Sequence, residues 1–347
     1  MMEAVKKTKT RTVCNIIPDW FPGVILLVIV AFIAQQLGKN FPLIGGTVIA
    51  IFLGVFIRNG LSVKPVYEAG IVFTQKKLLK FAIILLGTSL SIAEVLAIGG
   101  QAITIIFIVV VAGILLTIWF GKLLKVDKDL GLLIGIGTAI CGATAITATK
   151  SLLDSKGVQV AYAISTIFLF NLIATLLYPV LGHAFDMDQT VFGIWAGTAV
   201  HDTSSVLAVG YMYGDEAGEV ATTVKLVRTL FLIPLMLIIG IWVAKSKQES
   251  GDSSTNLSKS IFKAFPWFVV GFIVMSVLNS FGIFPDEIKE WIQSFSKFLI
   301  LMVMVGVGLQ VEWKKMIAQG LKPVIVGLLA SVAVAVISFV FIYILVV

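Results

Sequence analysis

GTAICGATAI (Gly137–Ile146) and AGTAVHDTSSVLAVG (Ala196–Gly210) are the stretches whose reading decides the fold. Each places glycine, threonine and other small or polar residues in the middle of a long apolar run. The second answers the first without a gap at an offset of sixty residues. Gly137-Thr138-Ala139 recurs as Gly197-Thr198-Ala199, Ala148 as Ala208, and Val160-Ala161 as Val220-Ala221. Cys141-Gly142-Ala143-Thr144 stands where the second copy has His201-Asp202-Thr203-Ser204. Such clusters weaken a helix and leave backbone groups in need of partners, which lipid tolerates only where the break is buried in protein or lines a watery cavity. Close helix packing through small residues is the other reading.

The solvent around these runs is lipid. The chain has 347 residues, 59% hydrophobic and 13% charged, where a soluble domain carries about 45–50% apolar and about 25% charged residues. Spanning helices need about 20 largely apolar residues. About eleven candidates follow, at 20–38, 42–57, 78–98, 102–120, 130–150, 158–181, 191–211, 220–243, 264–281, 291–309 and 323–346. The sequence therefore predicts a single all-α polytopic membrane domain over 1–347, with a cytoplasmic N-terminus (1–19), a repeat-containing core (130–243) and one long polar cytoplasmic loop (244–262). No cleavable signal peptide is expected, because the first apolar run follows a basic, polar stretch and lacks a small-residue cleavage site. Cys14 and Cys141 are too few and too far apart for a disulfide framework or a metal knuckle.

The net charge of +7 does not point to nucleic acid, since the basic residues sit in short loops, as topology determinants do. Lys6, Lys7, Lys9 and Arg11, then Lys76, Lys77 and Lys80, then Lys122, Lys125 and Lys128 mark one side. Gly99-Gly100-Gln101, the loop holding Asp186 and Asp188, and Asp215, Glu216 and Glu219 mark the other. This places the N-terminus in the cytoplasm and the C-terminus outside. Two segments do not fit a single crossing. Segment 130–150 has basic residues at both ends (Lys122–Lys128; Lys150, Lys156), and segment 191–211 has acidic ones at both. Either both re-enter from opposite faces, or the charge rule fails at Lys150 and Lys156. Paired segments entering from opposite sides would be inverted repeats. A weaker echo, Phe81–Leu90 with Phe298–Leu309, would make the second half a permuted copy.

Broken helices meeting mid-membrane are where secondary transporters bind substrate, and half-helix N-termini suit an anion. Ionisable residues inside spans are expensive and usually functional. His201 and Asp202 sit in the second break; Lys225 and Arg228 share one helix face. These two cations either bind an anion, or pair with Asp202, Glu216 or Glu219, or snorkel. Asp202 and His201 are candidates for carrying a proton or coupling ion. Asn171 is expected to make a helix–helix hydrogen bond. There is no HExxH, GxSxG or Walker motif, so neither an enzyme nor a cofactor or metal is expected.

The paired motifs, followed by VKLVRTLFLIPL (Val224–Leu235), resemble the bacterial YeiH-like family labelled as sulfate exporters, over essentially the whole chain. That family is similar in design to sodium/proton antiporters and bile-acid-type symporters. The resemblance implies inverted repeats with crossing, unwound helices in a mobile core that moves elevator-like against a scaffold, in the bacterial inner membrane. The expected function is export of a small inorganic or organic anion, such as sulfate or sulfite, coupled to H⁺ or Na⁺; a homodimer is compatible with it. The anion would be held by Gly137, Thr138, Cys141, Gly142, Gly197, Thr198, His201, Thr203 and Ser204, with Lys225 and Arg228. Arg228→Ala is expected to abolish transport while leaving a folded protein. A cation/proton antiporter built on Asp202 and a membrane sensor without flux are the rival classes.

Overall fold

The computed structural model describes residues 18–40, 45–60, 63–153, 155–248, 262, 265–310 and 321–346. The N-terminal residues 1–17, and with them Cys14, and most of the polar loop lie outside the described residues. Helices account for nearly all of the rest. They are α1 (Phe21–Asn40), α2 (Gly45–Gly60), α3 (Glu68–Phe73) joined through a π turn (Thr74–Leu78) to α4 (Leu79–Leu86), and α5 (Ile92–Leu123). Then come α6 (Lys128–Ala139), α7 (Ala143–Leu153), α8 (Gly157–Ala184), α9 (Gln189–Ala199), α10 (Thr203–Tyr213), α11 (Asp215–Leu230) and α12 (Leu232–Gln248). The last three are α13 (Trp267–Ser280), α14 (Asp286–Leu309) and α15 (Leu321–Leu345).

Among the described residues, six helices are long and apolar enough to cross a membrane, α11 and α12 counting as one continuous run over Asp215–Trp242, and α2 and α13 are shorter apolar helices. Their outer faces carry residues such as Phe32, Phe107, Leu115 and Trp119, each more than half exposed. A water-facing surface of that kind would be a liability, so lipid is its solvent. The chain is a multi-pass α-helical membrane protein.

One boundary differs from the sequence reading. Gly99-Gly100-Gln101 is no loop; it lies inside α5, and the turn comes earlier, at Gly87–Ser91. The reason is local. Ser91 caps α5, its Oγ accepting from the Glu94 N–H at 3.3 Å while a Glu94 carboxylate oxygen accepts from the Ser91 N–H at 2.7 Å. That reciprocal capping box starts the helix. The preceding span then begins at Glu68, taking Lys76, Lys77 and Lys80 into helix.

Two bundles result. Helices α1–α4, α13 and α14 enclose one apolar core, around Leu27, Ala82, Phe272 and Val303. Helices α5–α12 and α15 enclose another, around Val109, Ile136, Phe192, Ala199 and Val334. Leu207, Ala208 and Leu226, on α10 and α11, pack on the first core and join the bundles.

Candidate functional site: two opposed hairpin tips

Both broken segments turn back on themselves. Gly193 of α9 lies against Val220 and Gly197 against Val224, so α9 and α11 run side by side in the same direction. Gly210 lies against Gly218, so α10 runs the opposite way. The end of α10 accordingly returns to the start of α9, where the Tyr213 hydroxyl donates to the Met187 carbonyl. The first segment behaves alike. Gln159, at the start of α8, donates to Asp127, the N-cap of α6, at 2.7 Å. Gly137 lies against Ile167, so α6 and α8 are parallel and α7 returns between them. Since α8 carries the chain from one face to the other, the two hairpins enter from opposite faces. This is the re-entrant alternative, and it leaves Lys150 and Lys156 on the same side as Lys122–Lys128.

The tips, 140–142 and 200–202, meet in the middle of the second bundle. Lys225 and Arg228 of α11 hold them together, both fully buried. Lys225 Nζ donates to the Ile140 carbonyl at 2.8 Å and to that of Val200 at 2.9 Å. Arg228 Nε donates to Ala139 at 2.8 Å, Nη1 to Thr198 at 2.7 Å and to Val200 at 3.0 Å, and Nη2 to the Thr138 carbonyl. The acceptors are the last carbonyls of α6 and α9, which have no intrahelical partner and sit at the negative ends of two helix dipoles. Two buried cations thus find acceptors in both tips at once, which is the condition for burying them at tolerable cost. Lys225 and Arg228 therefore point at backbone, away from Asp202, Glu216 and Glu219, and neither snorkels.

The other halves, α7 and α10, begin where these end. Their first N–H groups face the same centre. Asp202 is the N-cap of α10, its carboxylate accepting from the Ser204 N–H at 3.0 Å and from the Ser204 hydroxyl. The same side chain reaches the first tip: a Cβ on Gly142 would sit 3.4 Å from Asp202 Cβ and from Oδ1. One carboxylate therefore lies between two positive helix ends. Asn171 of α8 orders the approach, its Oδ1 accepting from the His201 and Asp202 N–H groups, both at 3.2 Å. That is a helix-to-tip bond, close to the expected helix–helix one.

The remaining candidates separate by exposure. Gly137, Thr138, Cys141, Gly197 and Thr198 are buried inside the tips. A Cβ on Gly197 would press within 2.7 Å of Val224, so this glycine permits close approach of two helices. His201 is buried and turns toward α15, with Nε2 2.8 Å from the Ser331 hydroxyl, while its Nδ1 has no partner. Asp202 and Thr203 are half-buried, and Thr144 at the head of α7 is exposed. Thr144, Thr147 and Lys150, three apart on α7 and all exposed, form a polar stripe from the tip to the face where α6 begins. Sequence reading passed over Ser331 and Ser338, although two serines seven apart in the apolar α15 were a signal. They receive His201 and Thr198.

Among the described residues no group of His, Cys, Asp and Glu could hold a metal ion. The chain matches the family described as conserved hypothetical protein 698 over residues 22–327. It is 38% identical over 327 residues to a UPF0324 membrane protein of Clostridium tetani, covering 91% of this chain and 95% of that one. A UPF0324 membrane protein of Fusobacterium nucleatum is 35% identical over 336 residues, and one of Streptococcus pyogenes 36% over 325, with the same coverage.

Proposed function

The chain belongs to the UPF0324 membrane-protein family, described as conserved hypothetical protein 698, and from that premise we propose that it is a secondary active transporter exporting a small anion such as sulfate or sulfite. The observation that carries the reading is the convergence of the α7 and α10 N-termini beside a half-buried carboxylate, backed by Lys225 and Arg228. Unpaired first-turn N–H groups at two positive helix ends suit an anion. The two cationic side chains outnumber the one carboxylate, so the centre favours negative charge. A metal-cation site has less to offer, because the tip carbonyls of residues 138–140, 198 and 200 already accept from Lys225 or Arg228.

In this reading the anion sits on the N–H groups of Ala143 and Thr144 with the Thr203 hydroxyl, and Lys225 and Arg228 act from behind as field and clamp. Asp202 carries the coupling H⁺ or Na⁺. It repels the anion while ionised and admits it once neutralised, which ties the two fluxes together. The polar stripe Thr144–Thr147–Lys150 is the route from the tips to the cytoplasmic face. Helices α1–α4, α13 and α14 serve as scaffold, and the hairpin bundle moves against them.

The test is radiolabelled sulfate and sulfite flux in proteoliposomes, with a pH or Na⁺ gradient imposed. Asp202→Asn keeps the cap geometry and removes the titratable charge. It should lose gradient-driven flux by more than tenfold, a step of about 1.4 kcal/mol or more, while retaining anion exchange. Gradient-driven flux at the unaltered level in Asp202→Asn would remove the coupling role. A pH change driven by Na⁺ and indifferent to every anion would replace the reading with a cation/proton antiporter.

A further inference from the structure

Asp202 uses its two carboxylate oxygens differently. Oδ2 accepts from the Ser204 N–H at 3.0 Å and from the Ser204 hydroxyl, and so caps α10. Oδ1 accepts from no group among the described residues. It lies against the other tip, where a Cβ on Gly142 would sit 3.4 Å from it. The N–H groups of Ala143 and Thr144 follow at once, at the positive end of α7, a helix of 11 residues. Asp202 as a whole is only half-buried, so Oδ1 is open to whatever occupies the space between the tips. The titratable and charged groups around it are Lys225 of α11 and the Cys141 thiol of the first tip. Arg228 lies behind them on the tip carbonyls, and the His201 ring turns away to Ser331.

We propose that Asp202 Oδ1 selects the anion by accepting a hydrogen bond from it, so that the substrate is a monoanionic oxyanion that keeps an O–H near neutral pH, in the manner of hydrogen sulfite or dihydrogen phosphate, and not a bare dianion such as sulfate. The place of the anion rests on the transport reading above. Backbone N–H groups do not discriminate, because every oxyanion accepts from them. An ionised carboxylate oxygen does, because it has lone pairs and no proton. An anion with an O–H donates to it, whereas a bare anion sets oxygen against oxygen. A site with an acceptor waiting for a donor rejects the analogue that lacks one. Charge points the same way. Ionised Asp202 and a monoanion together carry two negative charges, as many as the positive charges on Lys225 and Arg228, and sulfate would add one without a counterpart. The shared proton also accounts for coupling. Shifted onto Oδ1, it leaves neutral Asp202 and a dianion, with atoms and total charge unchanged. Asp202 is then neutralised by a proton that the anion brought, and the coupling ion is H⁺.

The experiment compares sulfite, phosphate and sulfate on the full chain at a pH slightly below neutral. Phosphate and sulfate are both tetrahedral, so that pair isolates the proton from shape. Binding to purified protein is read as the rise in thermal unfolding temperature, and equilibrium exchange of each radiolabelled anion is read in proteoliposomes. Sulfite or phosphate should be preferred over sulfate by at least about tenfold. Asp202→Asn offers an N–H where Oδ1 stood, and should bring sulfate to within a few-fold of the others. Asp202→Ser keeps a capping oxygen without a carboxylate, and should narrow the ratio likewise if the amide variant does not fold. Sulfate bound as well as the other two, stability indifferent to all three, or a preference that survives both substitutions overturns the proposal. A preference in binding that Asp202→Asn abolishes, in a protein that exchanges no anion, sinks the transport reading and leaves the selection by Asp202 standing. Exchange of all three anions without preference does the reverse.

Discussion

The two hairpin tips are copies of one design with different contents. The first, Ile140–Cys141–Gly142, offers the helix that follows it no charged cap, only the Cys141 thiol at the Ala145 N–H. It turns through Gly142 at φ +63°, in the left-handed region. The second, Val200–His201–Asp202, stays in extended geometry and caps its own helix with Asp202. Downstream, α7 presents an exposed polar stripe, whereas α10 is buried from Ser204 to Gly210. The contrast teaches that one carboxylate serves two helix ends. The Gly142 N–H of the bare tip is taken by the Gly137 carbonyl, so the N–H groups left to an anion are those of Ala143 and Thr144 at the head of α7, and the charged tip supplies the group that guards them. Only the carbonyl ends are treated symmetrically, since Lys225 and Arg228 donate to both.

That comparison can be broken at its shared element first. Arg228→Ala removes donors from both tips at once and leaves several carbonyls buried without partners. The expected loss of stability is on the order of 3–5 kcal/mol, read as a large fall in the thermal unfolding temperature of purified protein. This replaces the expectation of a folded but inactive variant, and an unchanged melting curve would mean that the tips do not depend on the clamp. Next, Asn171→Ala acts on the charged tip alone. Two N–H groups lose their acceptor, for about 1–3 kcal/mol, and cysteine accessibility at Thr203→Cys should rise while that at Thr144→Cys stays level. Equal changes at both positions would show that the tips move as one. The smallest effect belongs to the bare tip. Gly142→Ala forces a side chain into left-handed geometry beside Asp202 and Ile167, for about 1–2 kcal/mol. Measured by the same unfolding assay, a stabilised Gly142→Ala would show that this turn is not held as described.

Much of this was legible in the chain. The opposed charge at the ends of 130–150 and 191–211 implied re-entry, and the repeat at Gly137 and Gly197 located both tips. The boundary at Ser91 was missed because long apolar runs conceal where a helix starts, and Gly99-Gly100 looked more like a turn than Ser91-x-x-Glu94 did. The direction of Lys225 and Arg228 was also out of reach. Their neighbours in sequence are apolar residues and threonines, and nothing within one helical turn says that the acceptor will be a carbonyl.

The sequence alone determined the solvent and located the two broken segments. Burial of apolar surface in lipid and the placement of charge at its borders are properties of short segments, summed residue by residue. The tertiary structure decided what the charged residues do. Lys225 and Arg228 reach acceptors 25 to 90 positions away, on two hairpins that enter from opposite faces. A buried cation goes where unsatisfied carbonyls converge, and that convergence exists only once both tips have met.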